Sequence, residues 1–165
     1  MTLSPLVFLD ANVLFSASIG GEVFDLLFEL GRGAKVRFVT SRACELEARR
    51  NLERKRLERA EALADILRAA PAADVDPSEH FAWAHALVDV ADAHVLAAGR
   101  SLAAVTLVTG DLTHFGLLMT RADLPLTIRT PRAFLMDGRR RQPVDKGWIT
   151  APTTPRRRVR PDRGI

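Results

Sequence analysis

Four short runs rich in apolar and β-branched residues recur along this chain, separated by longer stretches with helical spacing. They are Leu6-Val7-Phe8-Leu9, Val36-Arg37-Phe38-Val39, Val105-Thr106-Leu107-Val108 and the weaker Leu126-Thr127-Ile128. Runs of this length and composition read as strands buried on both faces. Strands that alternate with helices imply right-handed crossovers and a parallel sheet covered by helices, so the fold class is α/β. In such sheets the ligand site lies at the C-terminal strand ends. The residues directly after each run are therefore the ones to inspect.

The intervening segments carry the helical signals. Glu22 to Leu30 is apolar at Val23, Phe24, Leu26, Leu27 and Leu30, and Gly31 and Gly33 end it. Ser41 to Ala69 reads as one long helix with Ser41 as N-cap and a middle dense in mixed charge. Further helices are expected over Ser78 to Leu87, Asp89 to Leu102 and Pro131 to Met136. From Arg139 the pattern stops, and Arg, Pro, Gly and Thr dominate. The expected division is a folded domain over 1–138 and a basic, irregular arm over 139–165.

Charge is distributed to match. The net charge is +4, yet residues 139–165 hold nine Lys/Arg and two Asp/Glu, a balance of +7. The remaining fifteen basic and eighteen acidic residues leave the body at −3. An acidic body with a basic arm suits a metal together with a polyanion. No apolar run approaches the ~20 residues that span a bilayer. A single cysteine, Cys44, excludes an intramolecular disulfide and a Cys-rich zinc site, and fits a reducing cytoplasm.

Acidic residues stand where the strand ends predict a site. Asp10 follows the first run, and Asp111 follows the third in Val108-Thr109-Gly110-Asp111. Asp89 and Asp92 sit three apart at the start of a helix, with Asp89 well placed as its N-cap. Glu45 and Glu47 are two apart and point about 200° from one another, so one of the two can face a given site. Clustered carboxylates repel unless protons or cations compensate. An all-oxygen set without cysteines fits Mg²⁺ or Mn²⁺ better than zinc. Asn12 and Thr109 either satisfy local backbone groups or orient water or a carboxylate. His94 and His114 read as ordinary, because nothing in the sequence ties either to a partner. Cys44 reads as a small buried apolar residue.

These segments resemble a known family. Leu9-Asp10-Ala11-Asn12-Val13-Leu14 resembles the opening motif of PIN domains, Asp89 to Ala98 their third-acid segment, and Val108 to Phe115 their fourth with its Thr-Gly-Asp signature. Thr130-Pro131-Arg132-Ala133-Phe134-Leu135 resembles their ending, so the match runs in register over roughly residues 6 to 136. The resemblance implies a three-layer α/β/α PIN-like fold and a Mg²⁺- or Mn²⁺-dependent endoribonuclease cleaving single-stranded RNA to 5′-phosphate and 3′-hydroxyl ends. It carries Asp10, Asp92 and Asp111 over as metal ligands. For the second acid it favours Glu47, five residues before Leu52, over Glu45. It also implies a homodimer. It leaves open a role as the toxin of a toxin–antitoxin pair, held by a cognate antitoxin as VapC-like proteins are.

Two other readings of the same residues stand beside it. A non-catalytic RNA- or protein-binding module could keep the fold, although such a module has no need of four clustered acids. A haloacid-dehalogenase-type phosphatase also places an Asp after its first strand. That chemistry wants a second acid two residues later, where this chain has Asn12.

Overall fold

The computed structural model describes residues 3–140. The arm read from residue 139 lies outside the described residues from 141 onward.

Five parallel strands form one sheet in the order β3-β2-β1-β4-β5. They are β1 (Leu6–Leu9), β2 (Arg37–Ser41), β3 (Ala72–Ala73), β4 (Thr106–Val108) and β5 (Thr127–Arg129). The central strand β1 buries Val7, Phe8 and Leu9 almost completely, as a strand covered on both faces must. Chain direction across the sheet reverses once. It moves outward from β1 through β2 to β3, then returns to β4 on the other side of β1. Right-handed crossovers in opposite directions put their helices on opposite faces, which produces the three-layer α/β/α arrangement. The reversal makes the gap between β1 and β4 a topological switch point, where such folds open a crevice.

The helices are α1 (Ala11–Ile19), α2 (Glu22–Arg32), α3 (Arg42–Lys55), α4 (Ala60–Ala69), α5 (Ser78–His85), α6 (Val90–Ser101), α7 (Leu112–Phe115) and α8 (Pro131–Arg140). Helix α1 packs against α3 and α4, and α2 against α8. Helix α5 packs on α6, which reaches β2 and β4. Gly99 lets α6 approach the sheet: a Cβ there would stand 3.2 Å from Leu126 Cδ1 and 3.7 Å from Phe8 Cγ.

Several expectations need correction. The segment expected as one helix from Ser41 to Ala69 is two helices joined by a 3₁₀ turn, Leu57–Arg59, with Arg56 at φ −150°, ψ 57°. Leu52 of α3 and Leu63 of α4 are both fully buried. A bend at Arg56 lets each helix turn its apolar stripe onto α1, which a straight rod of that length could not do. Helix α1 was not anticipated, and neither was the two-residue strand β3. Gly33 closes α2 by donating its N–H to Glu29 O, while Gly31 stays inside the last turn. Helix α8 runs to Arg140 rather than stopping at Met136.

Candidate active site at the C-terminal strand ends

Sheet register brings the site together. Leu9 of β1 pairs with Val108 of β4, and Asp10 N–H donates to Val108 O at 3.1 Å. The next residue on each strand is therefore Asp10 on one side and Thr109 on the other. Both are buried, Asp10 to 5% exposure. The Thr109 hydroxyl donates to Asp10 Oδ2 at 2.7 Å. Asn12 Nδ2 donates to the same carboxylate oxygen at 2.7 Å, and lies 3.0 Å from Thr109 Oγ1. The other carboxylate oxygen accepts the Ala11 N–H at 2.7 Å, so Asp10 is also the N-cap of α1.

Asn12 and Thr109 clamp the loop after β4. Asn12 Oδ1 accepts the Gly110 N–H at 2.7 Å, and Thr109 Oγ1 accepts the Asp111 N–H at 3.1 Å. Gly110 is needed for this fit, since a Cβ there would stand 3.3 Å from Asn12 Oδ1. Asp111 then caps α7, with Oδ1 accepting the His114 N–H at 3.0 Å.

Asp92 reaches the same place from the first turn of α6. One carboxylate oxygen of Asp92, one of Asp111 and one ring nitrogen of His114 all lie within 4.8 Å of one another. His114 Nδ1 is 2.6 Å from Asp111 Oδ2 and 3.4 Å from Asp92 Oδ2. His114 is therefore tied to two acids, contrary to the reading of it as ordinary. One half of that link had an unread signal in the sequence, the i,i+3 spacing of Asp111 and His114. The Asp92 half required the fold.

The two glutamates of α3 separate cleanly. Glu45 is buried and ion-paired with Arg42 at 2.6 Å and Arg49 at 3.1 Å. Glu47 is exposed, and its charge acts on Asp10. Asp10 and Glu47 stand outside the compact Asp92–Asp111–His114 group. Asp89 takes the N-cap position of α6, yet its side chain makes no capping hydrogen bond. Cys44 is fully buried, as expected, and burial together with the nearby Asp10 charge pushes its thiol up to about 12.

Burial is the largest single influence on the acids of the site. Burial pushes the Asp10 carboxyl up to about 6; hydrogen bonds from Thr109 and Ala11 oppose this, and the charges of Glu47 and Asp92 reinforce it. Burial also raises Asp92, against the opposing charge of His114. For Asp111 burial pulls upward, but the side-chain and backbone hydrogen bonds from His114 win and hold it below the usual range. The hydrogen bond to Asp111 and the charge of Asp92 raise His114 in turn. Oxygen donors from three segments and one imidazole nitrogen are a donor set that suits a divalent cation.

Comparison with known proteins bears on the fold and the family. No curated protein matches the sequence. In fold the chain is similar to the 2.2 Å structure of VapBC-1 from nontypeable Haemophilus influenzae, with a TM-score of 0.57 at 15% identity, covering 77% of this chain and 98% of that one. The PIN-domain family model matches residues 6–113, well over half of the sequence and including Asp10, Glu47, Asp92 and Asp111. On that match, the chain belongs to the PIN-domain family.

Proposed function

We propose that this protein is a metal-dependent endoribonuclease that hydrolyses phosphodiester bonds of single-stranded RNA. The observation that supports the reading is that Asp92 and Asp111, from separate elements, share one compact group with His114, while buried Asp10 at the end of β1 is near enough for the Asp92 charge to act on it. Burial, with the Glu47 and Asp92 charges adding to it, raises the Asp10 carboxyl to about 6, and perturbed acids of this kind gather at functional sites.

In this reading Asp10, Glu47, Asp92 and Asp111 hold a Mg²⁺ or Mn²⁺ ion, and Asp92 and Asp111 are the two that share a compact group. Such an ion supplies Lewis acidity, offsetting phosphate charge and making water nucleophilic near neutral pH. The chain's own contribution is alignment. Thr109 and Asn12 fix the Asp10 carboxylate in one orientation, and Asn12 locks the Gly110 backbone that carries Asp111 into place. Asn12 is engaged on both ends of its amide, so it offers no acid for a phosphatase of the haloacid-dehalogenase type.

The reading extends to partners. The fold shared with VapBC-1 supports a role as a toxin restrained by a cognate antitoxin; action in the cytoplasm as a homodimer belongs to the same proposal. Among the described residues no helix is long and apolar enough to cross a membrane. The nuclease domain, set at 1–138 from the sequence, would extend through α8 to Arg140, and the arginines beyond it would add salt-dependent affinity for RNA phosphates.

The test is incubation of purified protein with mixed RNAs, with and without Mg²⁺ or Mn²⁺, beside Asp111→Asn. Cleavage that needs the ion and vanishes in the variant is expected. Cleavage that persists in chelator and in the variant would overturn the proposal.

A further inference from the structure

We infer that His114 is a direct metal ligand, its Nδ1 forming a mixed nitrogen–oxygen face with Asp92 and Asp111 that favours Mn²⁺ over Mg²⁺. The inference rests on the metal-site reading above and adds a ligand that the four-acid pattern does not contain.

Geometry carries it. Ligand atoms that share one small divalent ion at about 2.1 Å lie about 3 Å apart when they occupy neighbouring octahedral positions. His114 Nδ1 is hydrogen-bonded to Asp111 Oδ2 at 2.6 Å and lies 3.4 Å from Asp92 Oδ2, so an ion held by all three would take the place of the hydrogen that the first pair shares. The three donor atoms form a closed triangle within 4.8 Å, and they come from only two elements, α6 and α7. Asp10 is placed differently. Its oxygens accept hydrogen bonds from Ala11, Asn12 and Thr109, partners outside the triangle, whereas those of Asp111 are bonded to His114 itself. The triangle is thus the compact part of the site, and the imidazole is one of its corners.

The position of the ring has a local cause. Asp111 caps α7, and His114 follows at i+3, so the capping turn that binds the His114 backbone N–H also presents its ring to the same carboxylate. Helix α6 then supplies Asp92 from the opposite side. Chemistry follows from the donor types. Mg²⁺ takes oxygen ligands and rarely accepts imidazole. First-row transition ions gain affinity from a nitrogen ligand, an advantage Mg²⁺ lacks.

The experiment uses the full chain labelled with ¹⁵N-histidine, loaded with Mn²⁺ and read by pulsed electron paramagnetic resonance. A ¹⁵N hyperfine coupling from a bound imidazole is expected in the native protein. It should vanish in His114→Ala and persist in His94→Ala. Calorimetry should show His114→Ala weakening Mn²⁺ at least tenfold, the scale at which even groups that merely orient a ligand are felt, with Mg²⁺ changed much less. Mn²⁺ bound without nitrogen coupling would overturn the ligand role and leave the acidic metal site standing. Equal loss of both ions in His114→Ala would also overturn it, since the ring would then only position Asp111. Failure of the native protein to bind either ion would remove this inference and the nuclease reading together.

Discussion

Thr109 donates its hydroxyl to the Asp10 carboxylate at 2.7 Å, although 99 residues separate them in the chain. This bond joins the ends of β1 and β4 and sets the orientation of the most buried acid in the site. The same hydroxyl oxygen accepts the Asp111 N–H, so one atom aligns two of the acids.

Thr109→Val keeps the shape of the side chain and removes both interactions. Loss of a buried hydrogen-bonding group should cost about 1–3 kcal/mol, read from urea denaturation in chelator. RNA cleavage should fall more steeply than stability alone explains, whereas Thr109→Ser should retain most of both. A Val variant with native activity would remove Thr109 from the alignment role.

Asp10 gives the protein a pH signature. Its carboxyl is raised from 3.8 to about 6 in the fold, so the native state holds the proton more tightly than the unfolded chain. The associated stability is fully present below pH ~4 and lost as pH rises through 6. A shift of about two pKa units corresponds to roughly 3 kcal/mol. In chelator, the stability of the native protein relative to Asp10→Asn should therefore decline by about that amount between pH 4 and 7. Mn²⁺ added at pH 7 should recover much of the loss. A flat difference across this range would contradict the buried, uncompensated carboxylate.

Glu45 and Glu47 should separate into structural and functional roles. Glu45→Gln breaks the pairs with Arg42 and Arg49. Because both arginines are largely solvent-exposed, the loss should be moderate, about 1–2 kcal/mol. Glu47→Gln should alter stability by less than about 0.5 kcal/mol, as exposed substitutions do, yet lower RNA cleavage. The reverse pattern in denaturation and cleavage assays would show that the wrong glutamate has been assigned.

Gly110→Ala places a methyl group 3.3 Å from Asn12 Oδ1, which already accepts the Gly110 N–H. Asn12 must shift, and its hold on Asp10 shifts with it. Stability should change by about 1 kcal/mol or less, while turnover drops several-fold without a matching rise in KM. An unchanged turnover number would show that this clamp has slack.

Legibility in the sequence followed the physics of each element. Strand β1 was read with its observed bounds because four apolar residues, Val7 β-branched and Phe8 aromatic among them, run unbroken to Asp10. Strand β3 is two alanines after Pro71, with no side chain to signal a strand; pairing to β2 alone creates it. Helix α1 was hidden because it follows β1 with one intervening residue and buries much of its circumference, so its apolar residues show no single stripe. The break at Arg56 left no mark either, since neither Gly nor Pro stands there and the bend answers to α1. Asp10, Asp92 and Asp111 were legible from strand-end and helix-start positions. The bond from His114 to Asp92 was not, because it depends on how α6 meets α7.

The pairing of β1 with β4 has a consequence for biosynthesis. A ribosome makes Asp10 and Glu47 early, but these two acids have no counterpart until β4 has emerged and zipped alongside β1. A nascent chain therefore holds Asp10 and Glu47 without Asp111 until β4 has been made and laid beside β1.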